Sequence, residues 1–147
     1  MALLIHVLKW LVALLVGMVV NGAVVTLGME VFPLEGLDLS TPEGAAMSAP
    51  RMGPEHFIFP WLAHAMGTAV GAFLAVAWIQ TKGRRMWGWG IGAAFWAGGL
   101  WMAFLVPAPG WFLVADLGFA YLPVAWGAGE WAVRRKHQGP TGKLHGA

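Results

Sequence analysis

No cysteine occurs among the 147 residues, and only 11% of them carry a formal charge. The first absence removes thiol nucleophiles, disulfide exchange and iron–sulfur ligation. The second removes an ordinary water-soluble globule, in which about a quarter of the residues are charged. Phosphate-cradling and nucleophile-elbow signatures are also missing: there is no Gly-x-x-x-x-Gly-Lys-Ser/Thr and no Gly-x-Ser-x-Gly. The one glycine-rich run, around Gly88 to Gly92, is interleaved with tryptophan and isoleucine and reads as a helix-packing segment. No internal repeat with a period of 20 to 50 residues is visible. What the chain has in abundance is apolar surface, with 59% hydrophobic residues, ten tryptophans and a mean hydropathy of +0.66. Disordered and collagenous classes are therefore excluded, and lipid is the expected solvent.

Four apolar runs, 10–29, 57–79, 86–106 and 112–133, are each long enough to cross a hydrocarbon core of about 30 Å at 1.5 Å per helical residue. They predict an all-α fold, a single four-transmembrane-helix bundle over residues 1–137. Its helices are expected at about 4–29, 55–80, 86–106 and 111–133, with a loop at 30–54 and a flexible tail at 138–147. The first run is too long for the apolar core of a signal peptide and contains Asn21 and Gly22 where a cleavage site would need small residues, so it reads as a retained helix.

Eight of the nine basic residues fall on one side of this map: Lys9, then Lys82, Arg84 and Arg85, then Arg134, Arg135, Lys136 and Lys143. Short basic loops stay cytoplasmic, so a multi-pass protein of the cell (inner) membrane with both termini cytoplasmic is expected. The long outer loop carries Glu30, Glu35, Asp38, Glu43 and Glu55 against Arg51 alone, a formal charge of −4. The sequence pI of about 9.4 thus conceals an acidic extracytoplasmic face, and the partner of the basic side is the anionic bilayer, not nucleic acid. Trp10, Trp78, Trp87, Trp89 and Trp131 near the basic ends, and Trp61 and Trp111 near the other, are placed as interfacial anchors. Trp96, Trp101 and Trp126 lie deeper and are expected to pack between helices. Within the loop, Ser40-Thr41-Pro42-Glu43 has the form of a capping box and predicts a short surface helix from Pro42 to about Ser48. Ala49-Pro50 should end it, and Pro54-Glu55 should open the second crossing segment.

Between helices in lipid, small residues mark the faces that come together. Such faces are Ala13, Gly17 and Asn21 on the first helix, Ala63, Gly67, Gly71 and Ala75 on the second, and Gly88 and Gly92 on the third. Whether they meet within one chain, in a homo-oligomer or in a larger membrane complex is left open at this point. Pro123 lies well inside the fourth segment, where it should bend a continuous helix. Asp116 and Glu130 then share one face with the bend between them.

Ionisable residues inside a membrane segment are costly and face the interior, a partner or a cavity. On the basic side, Glu130 is expected to pair with Lys9, Arg84 or Arg134, with Arg85 and His6 nearby. On the outer side, Glu30, His56, His64 and Asp116 form the candidate polar site, with Asn21 and Tyr121 somewhat deeper. Two carboxylates and two imidazoles suit a divalent transition metal. They equally suit a proton relay, or a pocket in which Asp116 fixes the tautomer of His64. No His-x-x-x-His or Glu-x-x-His pair occurs on a crossing helix, so no metal is assigned, and an interhelical hydrogen bond is the plainer reading of His64. Haem is not expected, since His6 and His64 lie toward opposite faces and His56 and His64 are about 12 Å apart along one helix; two copies of His64 in a dimer are the remaining arrangement.

The stretch Met29-Glu30-Val31-Phe32-Pro33 to Gly36-Leu37-Asp38, followed by His64-Ala65-Met66-Gly67, resembles a group of small bacterial four-helix membrane proteins over roughly residues 10 to 85. The resemblance implies the same topology, matches Glu30 and His64 as polar positions, and brings no activity or cofactor with it. Three functional readings follow from the residues. The first is a non-enzymatic scaffold or accessory subunit joined through small-residue faces. The second is a membrane enzyme or metal-binding protein using the outer Glu/His/Asp site. The third is an oligomeric transporter or channel subunit with Asn21, His64, Asp116 and the Pro123 bend along its path.

Overall fold

The computed structural model describes residues 1–34 and 41–137. Glu35, Asp38 and Ser40 of the loop, and the tail with Lys143, lie outside them. The described chain is helical, in the order α1 (Ala2–Val31), α2 (Pro42–Ser48), α3 (Ile58–Trp78), α4 (Arg84–Leu105), α5 (Gly110–Phe119) and α6 (Leu122–His137). Two 3₁₀ turns, Ala49–Arg51 and Pro54–Phe57, lie between α2 and α3. Four segments are long and apolar enough to cross a membrane, namely Ala2–Val31, Pro54–Trp78, Arg84–Leu105 and Gly110–Arg135, which is the make-up of a multi-pass membrane protein.

α3 is the centre of the bundle and packs against α1, α4 and α6. α1 buries Ala13, Gly17 and Gly28, all small, packs Trp10 and Leu14 half-buried against the core, and leaves larger residues such as Leu4, Leu8, Leu15 and Val19 exposed. The close approach is literal: a Cβ on Gly17 would fall 2.6 Å from the Gly67 carbonyl oxygen, and one on Gly67 would fall 2.7 Å from that of Gly17. Gly71 faces Ile91 and the Ala13 carbonyl, Gly88 faces Val76, and Gly92 faces Ala125. The small-residue faces therefore meet one another inside a single chain, where short backbone separations maximise dispersion contact.

The fourth crossing segment is not one bent helix over 111–133. It is interrupted at Ala120 and Tyr121, between α5 and α6. Pro123 has no N–H to give the Phe119 carbonyl, and its ring would collide with that group in a continuous helix. The chain breaks there, and Pro123 occupies the first turn of α6, where a missing donor costs nothing. The ladder ends with the Ala120 N–H on Asp116 and resumes with the Ala125 N–H on Tyr121, at 3.0 and 2.8 Å.

α2 has the expected length, but its cap is Thr41, one residue later than the Ser40 box: Thr41 Oγ1 accepts from the Gly44 N–H at 3.1 Å. It does not lie free on the surface, since Gly44 and Ser48 are buried and the helix touches α4. Of the deep tryptophans, Trp96 packs inside with its indole N–H on the Leu117 carbonyl. Trp101 and Trp126 instead face outward, 65% and 58% exposed, so an indole at that depth meets lipid and not a neighbouring helix. At the basic end, Glu130 pairs with Arg85, not with Lys9, Arg84 or Arg134, through both carboxylate oxygens. Lys9 instead donates to the Trp78 carbonyl at 3.1 Å.

Candidate functional site

At the opposite end of the bundle from the Arg85–Glu130 pair, three polar side chains converge. His64 Nδ1 lies 2.8 Å from Asp116 Oδ1, the Tyr121 hydroxyl donates to Asp116 Oδ2 at 2.8 Å, and the same hydroxyl lies 2.7 Å from His64 Nδ1. Tyr121 is fully buried and Asp116 is 4% exposed. With the carboxylate accepting at both oxygens, the proton between imidazole and aspartate belongs on Nδ1, because two lone pairs at 2.8 Å would repel. Nε2 of His64 is then the ring atom with no protein partner among the described residues.

The helix break creates this arrangement. Asp116 and Tyr121 are five residues apart, about 140° around a continuous α-helix, and could not both reach one imidazole. The interruption at Ala120 and Tyr121 folds the phenol back beside the carboxylate. Gly99 on α4 makes room for it, since a Cβ there would run into the Tyr121 hydroxyl. One turn deeper on the same face of α3, Thr68 is buried with its hydroxyl unpartnered.

His64 and Asp116 line a cavity of about 230 Å³ to which every helix except α6 contributes. Its remaining walls are apolar, formed among others by Met29, Phe32, Phe59, Met102, Ala103 and Phe112, and Ala45 of α2 borders it. Aromatic edges brace the mouth: Phe32 stands edge-on to Phe59 at 5.9 Å, and Phe57 meets Phe112 at 4.8 Å.

The six candidate polar residues thus separate. His64, Asp116 and Tyr121 come together. His56 borders the same cavity, yet its Nδ1 accepts from the Gly53 N–H at 3.1 Å and lies 3.4 Å from Glu55, so it is held by its own turn. Glu30 is exposed at the end of α1 and stands outside the cavity. Asn21 belongs to the α1–α3 seam, its Cβ close to where a Gly67 side chain would start. The four-ligand set of Glu30, His56, His64 and Asp116 is therefore not assembled, and among the described residues no three such groups lie close enough to hold a metal. Gly99 and Thr68 were not readable as site residues; the spacing of four between His64 and Thr68 was the only sequence signal for the latter.

The chain matches no family of known proteins, no curated protein and no solved structure.

Proposed function

We propose that this is a multi-pass membrane protein that holds a small lipid-soluble molecule inside its own bundle, with His64 as the polar contact. One observation carries the reading: a half-buried histidine on the wall of an apolar cavity is held through Nδ1 by a buried aspartate and tyrosine, which leaves its Nε2 without a protein partner among the described residues. Burying a carboxylate among helices is expensive. A purely structural pair would use both partners fully, whereas here two buried groups serve to aim a third. Ligand pockets have this composition, apolar walls with a few placed polar groups.

Ala103 lies on the cavity wall, so Ala103→Trp fills the space with an indole while leaving the residues of the polar trio in place. Native mass spectrometry of protein extracted in mild detergent should show a retained small molecule on the wild type that is lost from Ala103→Trp. Identical ligand-free masses for both would reject the reading.

The same proposal places the basic end in the cytoplasm and the α2 end outside, by the distribution of lysine and arginine. The absence of cysteine makes this simple to check. Gly83→Cys should be shielded from a membrane-impermeant thiol reagent in intact cells, and Glu43→Cys should be labelled; the reverse pattern would invert the assignment.

A further inference from the structure

Resting on that reading of the cavity, we infer that its occupant is an uncharged, flat ring bearing a hydroxyl, the chemistry of the phenol and quinol class, with the hydroxyl donating to His64 Nε2. Charge decides the first property. Both oxygens of Asp116 are already engaged, by His64 and by Tyr121. A cationic head would have to shed its water against walls that are apolar apart from His64, Asp116 and His56, and a carboxylate head would bring a second anion to within one imidazole width of the first. In a medium of low dielectric that repulsion is severe, so the head is neutral.

Hydrogen bonding decides the second. The unpartnered imidazole nitrogen, Nε2, is bare when the ring proton sits on Nδ1, so it accepts from a hydroxyl and repels the lone pairs of a carbonyl. A hydrocarbon would leave it unmatched. One oxygen suffices, because among the side chains of the lining only His56 offers another nitrogen without a protein partner among the described residues.

Size and wall chemistry decide the third. A dry protein cavity of about 150 Å³ accommodates benzene, so one of about 230 Å³ takes a single substituted ring and no polycyclic body. The walls are phenylalanine edges and methionine thioethers, with Phe32, Phe59, Phe112, Met29, Met52 and Met102 all present. These surfaces favour a π-face: edge-to-face ring contacts and sulfur–aromatic contacts each add attraction beyond plain burial.

The test uses the full-length chain in lipid nanodiscs, with Ala103→Trp discs as the blank for partition into lipid. Four probes of one size are titrated by calorimetry: trimethylhydroquinone, trimethylbenzoquinone, mesitylene and cyclohexanecarboxylate. Trimethylhydroquinone should bind the wild type about three- to tenfold more tightly than mesitylene, the worth of one hydrogen bond, trimethylbenzoquinone should bind no more tightly than mesitylene, and cyclohexanecarboxylate should not bind. His64→Phe should lower the hydroquinone to the mesitylene level and leave mesitylene unchanged. If mesitylene, the benzoquinone or the carboxylate binds as well as the hydroquinone in the wild type, the ring-hydroxyl inference falls and the pocket reading stands. If no probe distinguishes wild type from Ala103→Trp, both fall. The comparison among probes on the wild type does not depend on any histidine variant folding.

Discussion

Gly67→Ala should cost about 3 kcal/mol of bundle stability, and Gly67→Val should abolish the folded protein. The added Cβ would lie 2.7 Å from the Gly17 carbonyl oxygen and 2.9 Å from Asn21 Cβ. Overpacking costs of about 1–3 kcal/mol arise where a side chain can move aside; here the obstacle is helix backbone, and α1 as a whole must retreat from α3. With total stabilities of about 5–15 kcal/mol, the two branch methyls of valine are enough to separate the pair. Gly17→Ala meets the reciprocal obstacle. The double alanine variant should therefore lose clearly less than the sum of the two, because the first substitution has already opened the gap that the second needs. Gly22→Ala is the control, since nothing lies within 4 Å of its added methyl. Unfolding in a titration from mild to denaturing detergent, followed by tryptophan near-UV circular dichroism, measures all five variants. Wild-type behaviour of Gly67→Ala would show that the α1–α3 contact is not where the structure puts it.

Asp116→Ala should destabilise by about 2 kcal/mol and change the chemistry of His64. The substitution removes the acceptor of two donors, and an unsatisfied buried donor costs about 1–3 kcal/mol. The loss is not doubled, because a repair is at hand: the Tyr121 hydroxyl already lies 2.7 Å from His64 Nδ1. Once the carboxylate is gone, that hydroxyl can donate to a bare Nδ1, and the ring proton moves to Nε2. Nitrogen-15 NMR of the imidazole should thus report Nδ1–H in the wild type and Nε2–H in Asp116→Ala. Tyr121→Phe leaves the Nδ1–H on Asp116, and should cost about 1 kcal/mol, as one hydrogen bond does, without changing the tautomer. The same tautomer in wild type and Asp116→Ala would refute the assignment of the proton.

Much of the architecture was legible because it follows from periods and lengths. Apolar runs of about 20 residues marked the four crossing segments, and glycines four apart marked the faces that touch. The Thr41-Pro42 pair marked the start of α2, because a hydroxyl before a proline is a local instruction that needs no tertiary knowledge. His64 and Asp116 stood out because an ionisable group at membrane depth has few neutral explanations. Tyr121 was visible as a polar group, but its partners were not. Its place depends on how the chain responds to Pro123, and periodicity across a proline assumes a helix that continues. The break, at Ala120 and Tyr121, starts directly after Phe119, whose carbonyl the ring four residues later displaces. Glu30 misled for a different reason: depth along a helix is readable, but azimuth at that end of α1 is not, since apolar residues surround the helix on all sides and only its few small residues mark the buried face. Trp101 and Trp126 misled in the same manner, as an indole is equally at home against lipid and against protein.

The polar trio also imposes an order of events on synthesis. His64 precedes Asp116 by 52 residues and Tyr121 by 57. At about 5–20 residues per second, the ribosome needs about 3 to 11 seconds to travel from the histidine to the tyrosine. Once Trp78 has been added, the α1–α3 pair has all the residues it requires to associate, while the imidazole at its edge has no acceptor from its own chain until Asp116 follows. The nascent protein therefore passes through a half-built stage with an apolar seam complete and a polar interior open, and the closing step is delivered by the last crossing segment to be made.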